Sequence, residues 1–286
     1  MTTIVRRRKL GMSSCKGIAE FSKTGIKWCR NDQGIPVDDL YIRWGCTSNL
    51  PERNAPLRVL NRAMAIHQVA DKLGFRLLLD AAGLCPRTWF DLEDVPFRPN
   101  EMSVILRTAT HHQGKGLWKF DLGDDMDCEG LQDKCEELGE GNYYINELIP
   151  KVAEYRVFVV SGRAVCVAQK TPGNPDDVAW NVARGGRFDN VRWDQWPLKA
   201  VKRSIEAFNL SELDFGGVDV MVDAGGECYV LEINSAPSLT SPYRQECMAK
   251  AFDYIVRNGK DRIPLVKEKG GYKKFIHPAI HEEAYL

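Results

Sequence analysis

Asp214-Phe215-Gly216-Gly217-Val218-Asp219 and, after a short interval, Tyr229-Val230-Leu231-Glu232-Ile233-Asn234-Ser235-Ala236-Pro237-Ser238 form the stretch that decides how this chain is read. Gly217 to Val222 and Cys228 to Ile233 read as two strands joined by the turn Asp223-Ala224-Gly225-Gly226. Glu232 and Asn234 are two residues apart, so on a strand they share a face. If the turn pairs the strands near Asp223–Gly226, Asp219 comes opposite Glu232. Asp, Glu and Asn oxygens are hard donors suited to Mg²⁺, which takes few protein ligands and completes its shell with substrate phosphates. The three polar groups interrupt otherwise apolar strands, where two inward carboxylates without a cation would repel each other and lose solvation. For an isolated hairpin, a plain solvent-facing edge is the better explanation. The company these residues keep changes that.

Together the two segments resemble the carboxy-terminal metal-binding signature of the ATP-grasp superfamily, which includes the D-alanine–D-alanine and RimK-type ligases. The resemblance implies an α+β ATP-grasp fold: two α+β lobes clasping ATP, with a short N-terminal α/β pre-ATP-grasp-like domain. It implies metal ligation by Asp219, Glu232 and Asn234, with ATP and two Mg²⁺ ions (or Mn²⁺) as cofactors. Upstream, Asp71-Lys72, Arg76, Leu79, Ala82-Gly83-Leu84, Pro86 and Thr88 resemble the family's helix-to-loop segment, whose lysine maps to Lys72 and reaches a phosphate. The next phosphate-contacting position holds Arg107 instead of lysine, which keeps the charge and changes its geometry. Gly114-Lys115-Gly116 matches the glycine-rich loop over the triphosphate, where backbone N–H groups approach phosphate closely.

Glu147-Leu148-Ile149-Pro150 resembles the hinge that meets adenine, and Glu154 the acid that binds the ribose hydroxyls. Lys170 matches a further phosphate-facing cation. Asn181 and Arg184-Gly185-Gly186 resemble the RimK-type segment near the γ-phosphate and acceptor, so Arg184, Lys170 and Asn234 are expected in the chemistry. A second departure is Gly217, where several such ligases place an arginine near the metals. Either Arg184 or Arg244 supplies that charge, or the acceptor is bound differently. Each residue alone is better explained as a surface charge or a cap; their order across residues 61 to 238 is what makes chance a poor account.

Outward from the hairpin, 286 residues suffice for two or three lobes around a cleft. The expected division is a first unit over 1–56 and an ATP-grasp unit over 57–286. The latter comprises a lid lobe (57–145), a nucleotide and metal lobe (146–255) and a tail (256–286). In the first unit a strand precedes a helix capped by Ser13 or Ser14 and running to Phe21, followed by strands at Ile26–Cys29 and Leu40–Trp44. Residues 46–56 read as a loop. Ala63, Ile66, Ala70 and Leu73 recur at helical spacing, with Gly74 as a break between two helices and Gly83 as a stop. Val104–Thr108 pairs with Leu117–Phe120. The acidic stretch Asp124–Glu140 reads as a solvated helix, without the glycine and glutamate placement of a calcium loop. Strands at Tyr143–Leu148, Tyr155–Val160 and Ala164–Gln169 follow. Residues 172–197 read as a polar connection, Leu198 to Phe208 as an amphipathic helix, and Tyr243–Arg257 as the last helix.

Thirty-nine basic and thirty-nine acidic side chains leave no net formal charge, so no global field draws the protein to nucleic acid or membrane. The basic run Arg6-Arg7-Arg8-Lys9 lacks a following apolar region and is no secretory signal; a solvated strand end explains it better than a nucleic-acid contact. No apolar stretch is long enough to span a bilayer. Nine scattered cysteines, never spaced Cys-x-x-Cys, argue against zinc and disulfides and fit a cytoplasmic setting.

The expected reaction joins a carboxylate to an amine through an acyl phosphate, with ADP and phosphate released. The substrates would be small molecules, peptides or protein termini. Arg43, Arg184 and Arg244 are candidate clamps for a substrate carboxylate. The alternatives are an ATP-grasp kinase or phosphotransferase, and a nucleotide-binding regulatory protein without turnover. A homodimer is only the general prior for assembly.

Overall fold

The computed structural model describes residues 1–52, 57–96, 102–110, 116–174, 177–180 and 185–259. Three sheets carry the fold. The first is parallel, in the order β2-β1-β3-β4, from β1 (Thr2–Arg6), β2 (Lys27–Arg30), β3 (Leu40–Trp44) and β4 (Arg58–Leu60). The central sheet is antiparallel, in the order β11-β10-β9-β12-β13. Its strands are β9 (Lys151–Val160), β10 (Arg163–Thr171), β11 (Arg187–Val191), β12 (Phe215–Asp223) and β13 (Cys228–Asn234). The lid sheet is β5-β8-β6-β7, from β5 (Thr88–Trp89), β6 (Ser103–Thr108), β7 (Leu117–Asp121) and β8 (Tyr143–Glu147).

The two faces of the central sheet have different fates. On one face Val157, Val159, Val218, Val220 and Val230 pack against α2 (Ala63–Ala70), α3 (Lys72–Ala81) and α5 (Leu198–Leu210). On the other, Phe158, Val160, Cys166 and Phe215 meet the first sheet, α1 (Met12–Phe21) and α6 (Pro242–Asn258). There Trp44 stacks on Phe215 with centroids 5.3 Å apart, and Phe215 meets Phe252 edge-on at 5.0 Å. That second face is apolar only at one end. Stepping by two along each strand leads from Phe158 to Arg156 and Glu154, and from Phe215 through Gly217 to Asp219. The alternation that fills the core thus turns the same face into a charged cleft. The lid sheet closes this cleft and has its own core, where Leu131 and Cys135 of α4 (Asp125–Leu138) meet Val104, Leu106 and Ile145.

Several local expectations change. Neither Ser13 nor Ser14 caps α1; it starts at Gly11, and the Ser14 hydroxyl instead accepts the Leu239 N–H at 2.9 Å. The break between α2 and α3 falls at Asp71, not Gly74, because Asp71 caps α3 by accepting the Gly74 N–H at 3.1 Å. β9 begins four residues before Tyr155, and β11 is a strand within the stretch read as a connection. No described helix is long and apolar enough to cross a membrane, and the nine cysteines are free thiols.

Candidate active site

β12 and β13 pair so that Asp219 stands opposite Glu232 and Gly217 opposite Asn234, with a bulge immediately after Asp219. The hairpin register expected from the turn is therefore the one formed. β9 lies on the other side of β12 and brings Arg156 opposite Asp219. β10 then sets Lys170 opposite Glu154. Four strands thus deliver one charged network to the floor of a cleft of about 530 Å³.

Asp219 is 2% exposed. Arg156 grips it with two parallel bonds, Nε to Oδ1 at 2.5 Å and Nη2 to Oδ2 at 2.7 Å, and Lys170 adds a third at 2.7 Å. Glu154, also 2% exposed, accepts from Lys151 on one oxygen and Lys170 on the other. The ribose-binding acid expected at Glu154 therefore already has both oxygens engaged by lysines. Lys72, at the start of α3, donates to Glu232 at 3.2 Å, and Asn234 donates to the other Glu232 oxygen at 3.0 Å. One helical turn on, Arg76 anchors the same helix face to the Leu231 carbonyl at 2.6 Å and lies over the Tyr144 ring of the lid sheet at 5.5 Å. Helix, hairpin and lid are thereby tied at the cleft.

Around Glu154, Asp219 and Glu232 stand Lys72, Lys151, Arg156 and Lys170, an excess of one positive charge among these described groups. Burial opposes the charge on Glu232, but Lys72, the Asn234 amide, Arg156 and Lys170 outweigh it and hold the carboxyl well below its usual range. Burial likewise opposes the charge on Lys170, and Asp219 and Glu154 reverse that effect and raise its pKa. Lys151 goes the other way: burial lowers its pKa despite Glu154.

The donor set suits a hard cation in part. Glu232 has a side chain 37% exposed in the cleft, and Asn234 spends its amide N–H₂ on Glu232, leaving a carbonyl oxygen to offer. Asp219 is satisfied by two cations, so it becomes a ligand only when Arg156 or Lys170 yields. No group of three or more His, Cys, Asp or Glu suited to a metal occurs among the described residues, so two carboxylates and one amide are the set on offer.

Gly217 has a local explanation. A Cβ there would lie 2.8 Å from Cβ of Pro237 and 3.4 Å from Cδ of Arg156. Arg156 brings an arginine charge beside the β12–β13 hairpin from the neighbouring strand; of the two arginines weighed for that charge, Arg184 lies outside the described residues. Arg244 is 2% exposed, donates to Thr240 Oγ1 at 3.0 Å and leaves its Nε without an acceptor. Its guanidinium shares the Phe188 ring with Arg156 and Lys170, at 5.7, 4.8 and 5.5 Å from the centroid. Arg43 is a structural residue, donating to the Cys46 and Ser48 carbonyls at 3.0 and 2.7 Å.

The cleft is also lined by the apolar Ile105, Leu117, Leu148, Ile149, Met221 and Leu231, together with Arg107 and Glu147. The N–H groups of Glu147 and Leu148 are spent on the Arg87 and Ser103 carbonyls. Gly116 closes the β6–β7 hairpin at φ 66°, its carbonyl accepting from Thr108. Gly114, Lys115, Asn181 and Arg184 lie outside the described residues. The sequence alone assigns no role to Lys151, Phe188 or Met221, and it places Arg156 only beside Glu154 in the Tyr155-Arg156-Val157 segment. Only Arg156 carried a signal, as the residue two beyond Glu154 on one strand.

Residues 120–255 match a family model of the ATP-grasp domain, the third family of its clade. The fold is similar to that of macrocyclase MdnC bound with precursor peptide MdnA from Microcystis aeruginosa. The TM-score is 0.62 at 13% identity, covering 90% of this chain and all of that one. It is similar to ATP-grasp ligase PsnB complexed with minimal precursor, Mg and ADP (TM-score 0.61, 15% identity, 90% of this chain and 96% of that). D-alanine–D-alanine ligase from Bacillus anthracis aligns with a TM-score of 0.61 at 12% identity, over 91% of this chain and 99% of its own. No curated protein sequence matches the chain. By the arrangement of its three sheets and by the match over residues 120–255, the chain has the ATP-grasp fold.

Proposed function

We propose that the protein is an ATP- and Mg²⁺-dependent carboxylate–amine ligase that works through an acyl phosphate. The observation that carries this is the paired placement of Asp219 and Glu232, with Asn234, among Lys72, Arg156 and Lys170 in a cleft that apolar side chains also line. A nucleotide laid along the cleft puts its base among Ile105, Leu148, Met221 and Leu231 and its phosphates among Lys72, Arg107 and Lys170.

In this reading Glu232, Asn234 and, after exchange of a cation, Asp219 hold the metal. When bound, Mg²⁺ supplies Lewis-acid charge that offsets the phosphates during phosphoryl transfer. Lys72, Arg107 and Lys170 provide a fixed positive field around the γ-phosphoryl, already oriented before the substrate arrives. Arg156, planar and two-pronged, is suited to orient the substrate carboxylate as it attacks. The amine then displaces phosphate from the acyl phosphate, and closure of the segment around Gly114–Gly116 keeps water from that intermediate. Asn181 and Arg184 are assigned to the γ-phosphate and acceptor side. Precursor peptides accompany several structures of the same fold, which favours a peptide or protein carboxylate as a substrate here.

The test is turnover of Mg·ATP by the full chain against pooled amino acids, peptides and polyamines, with ADP, phosphate and product masses read separately. Amine-dependent release of both ADP and phosphate with an amide mass gain, lost in Glu232→Ala, supports the ligase. ADP without phosphate and a phosphorylated acceptor replaces it with a kinase. Nucleotide binding without turnover replaces it with a regulatory nucleotide binder.

A further inference from the structure

The basic run Arg6-Arg7-Arg8-Lys9 has no part in the ligase site just described. It is not merely a solvated strand end. β1 is an inner strand of the parallel sheet, and the run forms the turn from its carboxyl end into α1. From β1 the chain pairs β2 on one side and then β3 on the other, so the winding reverses between β1 and β3. The carboxyl ends of strands at such a reversal are where open parallel α/β sheets hold ligands.

The charge there is nearly of one sign. Arg30 ends β2, Arg43 is the penultimate residue of β3, and Arg7, Arg8 and Lys9 are exposed. Asp32 meets Arg30 at 2.7 Å and Arg8 at 3.8 Å, whereas Asp38 and Asp39 lie beside the amino terminus at the opposite end of the sheet. In a chain of zero net formal charge, this edge carries Arg7, Arg8, Lys9 and Arg30 against the single described acid Asp32.

Buried donors at the same turn lack acceptors: Arg6 Nε and Trp44 Nε1, on residues 3% and 0% exposed. Arg6 Nη1 shapes the turn by donating to the Arg7 and Arg8 carbonyls at 2.9 and 3.0 Å. α1 begins at Gly11 in the left-handed region, φ 72°, with no side-chain cap and no acid in its first turn. The Trp44 indole lies against that start, so a Cβ on residue 11 would fall 2.6 Å from Nε1. An uncapped helix start presents N–H groups and the positive end of the helix dipole. The orphaned indole N–H beneath it is a second, independent donor.

We propose that the β1–α1 turn, residues 6–12, binds an anionic group, a phosphate or a carboxylate, on the substrate and remote from the carboxylate that is activated. That this anion belongs to the substrate rests on the ligase reading. The turn is fastened to the loop that follows Asn234: Leu239 N–H donates to Ser14 Oγ, and a Cβ on Gly45 would fall 2.8 Å from Cβ of Ala236. An anion at α1 is therefore held on the acceptor side of the metal hairpin.

The experiment uses the full chain saturated with Mg·ADP, so that the nucleotide site is filled. The indole N–H resonance of Trp44, assigned with Trp44→Phe, is followed while inorganic phosphate, and separately a tetraglutamate peptide, is titrated at constant ionic strength. A saturable shift is expected, with affinity at least tenfold weaker in Arg7→Glu/Lys9→Glu, whose side chains are exposed. Mg·ADP affinity should stay within twofold in that variant. Preference for phosphate or for the peptide identifies the source of the anion. No saturable shift with either probe, or an equal shift in the variant, overturns the proposal. Loss of Mg·ADP binding by the unmodified chain would instead overturn the nucleotide reading and leave the anion titration to stand by itself.

Discussion

Removal of the Arg156 guanidinium would leave Asp219, 2% exposed, with Lys170 as its remaining described ion partner. Breaking a buried pair from one side costs about 3–5 kcal/mol, because the surviving charge keeps its desolvation. Arg156→Met is therefore expected to lower stability by about 3 kcal/mol and to abolish ATP turnover. Arg156→Lys should keep most of the stability but lose the two-pronged grip, lowering kcat at least tenfold. Denaturant unfolding and steady-state turnover on both variants check this; a lysine variant with full kcat would remove Arg156 from the reacting centre. Thiol chemistry offers another residue-level check. Burial pushes the Cys15 thiol up to about 12 and raises the Cys166 thiol well above its usual value, whereas Cys29 and Cys128 are only partly buried. The thiolate is the reactive form, so at pH 8 a small alkylating reagent should label Cys29 and Cys128 first. Cys15 and Cys166 should stay unlabelled until the chain unfolds, as read by peptide mass spectrometry.

At the scale of elements, the β12–β13 hairpin joins sequence to site most directly. Gly217→Ala places a methyl 2.8 Å from Pro237 and against Arg156. Overpacking of this kind costs about 1–3 kcal/mol, and here it displaces the guanidinium that grips Asp219. The expected outcome is a lowered Tm together with a fall in kcat larger than stability loss alone explains, measured well below the variant's Tm. The pairing of Asp219 with Glu232 was legible because a turn and a period of two fix a hairpin locally. The place of Arg156 was not, because β9 adopts β12 as its neighbour across some sixty residues that nothing local reports. β11 escaped for a different reason: Arg187 and Asp189 are exposed, and it pairs only with β10 at the sheet edge, so no apolar alternation marks it. β4 and β5, three and two residues long, form through pairing and not pattern. The upstream order of Lys72, Glu147, Glu154 and Lys170 was legible through family resemblance; that Glu154 is held by two lysines follows from the folded network alone.

At the scale of the molecule, the first sheet is held to the rest of the chain by apolar contact, by the bonds of buried Asn61 to Asp214 and Phe215, and by a buried acid. Asp253 of α6, 5% exposed, accepts from Ser22 Oγ and Lys23 N–H at 2.6 Å each, and from Thr24 through Oγ1 at 2.5 Å and N–H at 3.2 Å. These donors lie between α1 and β2, so the carboxylate fixes that segment of the first sheet's layer onto α6. Asp253→Ala strands four donors at once. With hydrogen bonds to a charged group worth about 1.5–3 kcal/mol and solvent recovering part of that, a net loss near 3 kcal/mol is expected. For a chain of this size that corresponds to a fall in Tm of about 6–12 °C. None of the described cleft groups bonds to Asp253, so Mg·ADP affinity should remain within twofold at temperatures where the variant is folded. If the first unit positions the acceptor, in keeping with its contacts to residues 235–239, KM for the amine should rise while KM for ATP stays level. Calorimetric unfolding, nucleotide titration and turnover at varied amine together decide it. An unchanged amine KM with the full loss of Tm would confine the first sheet to a structural role.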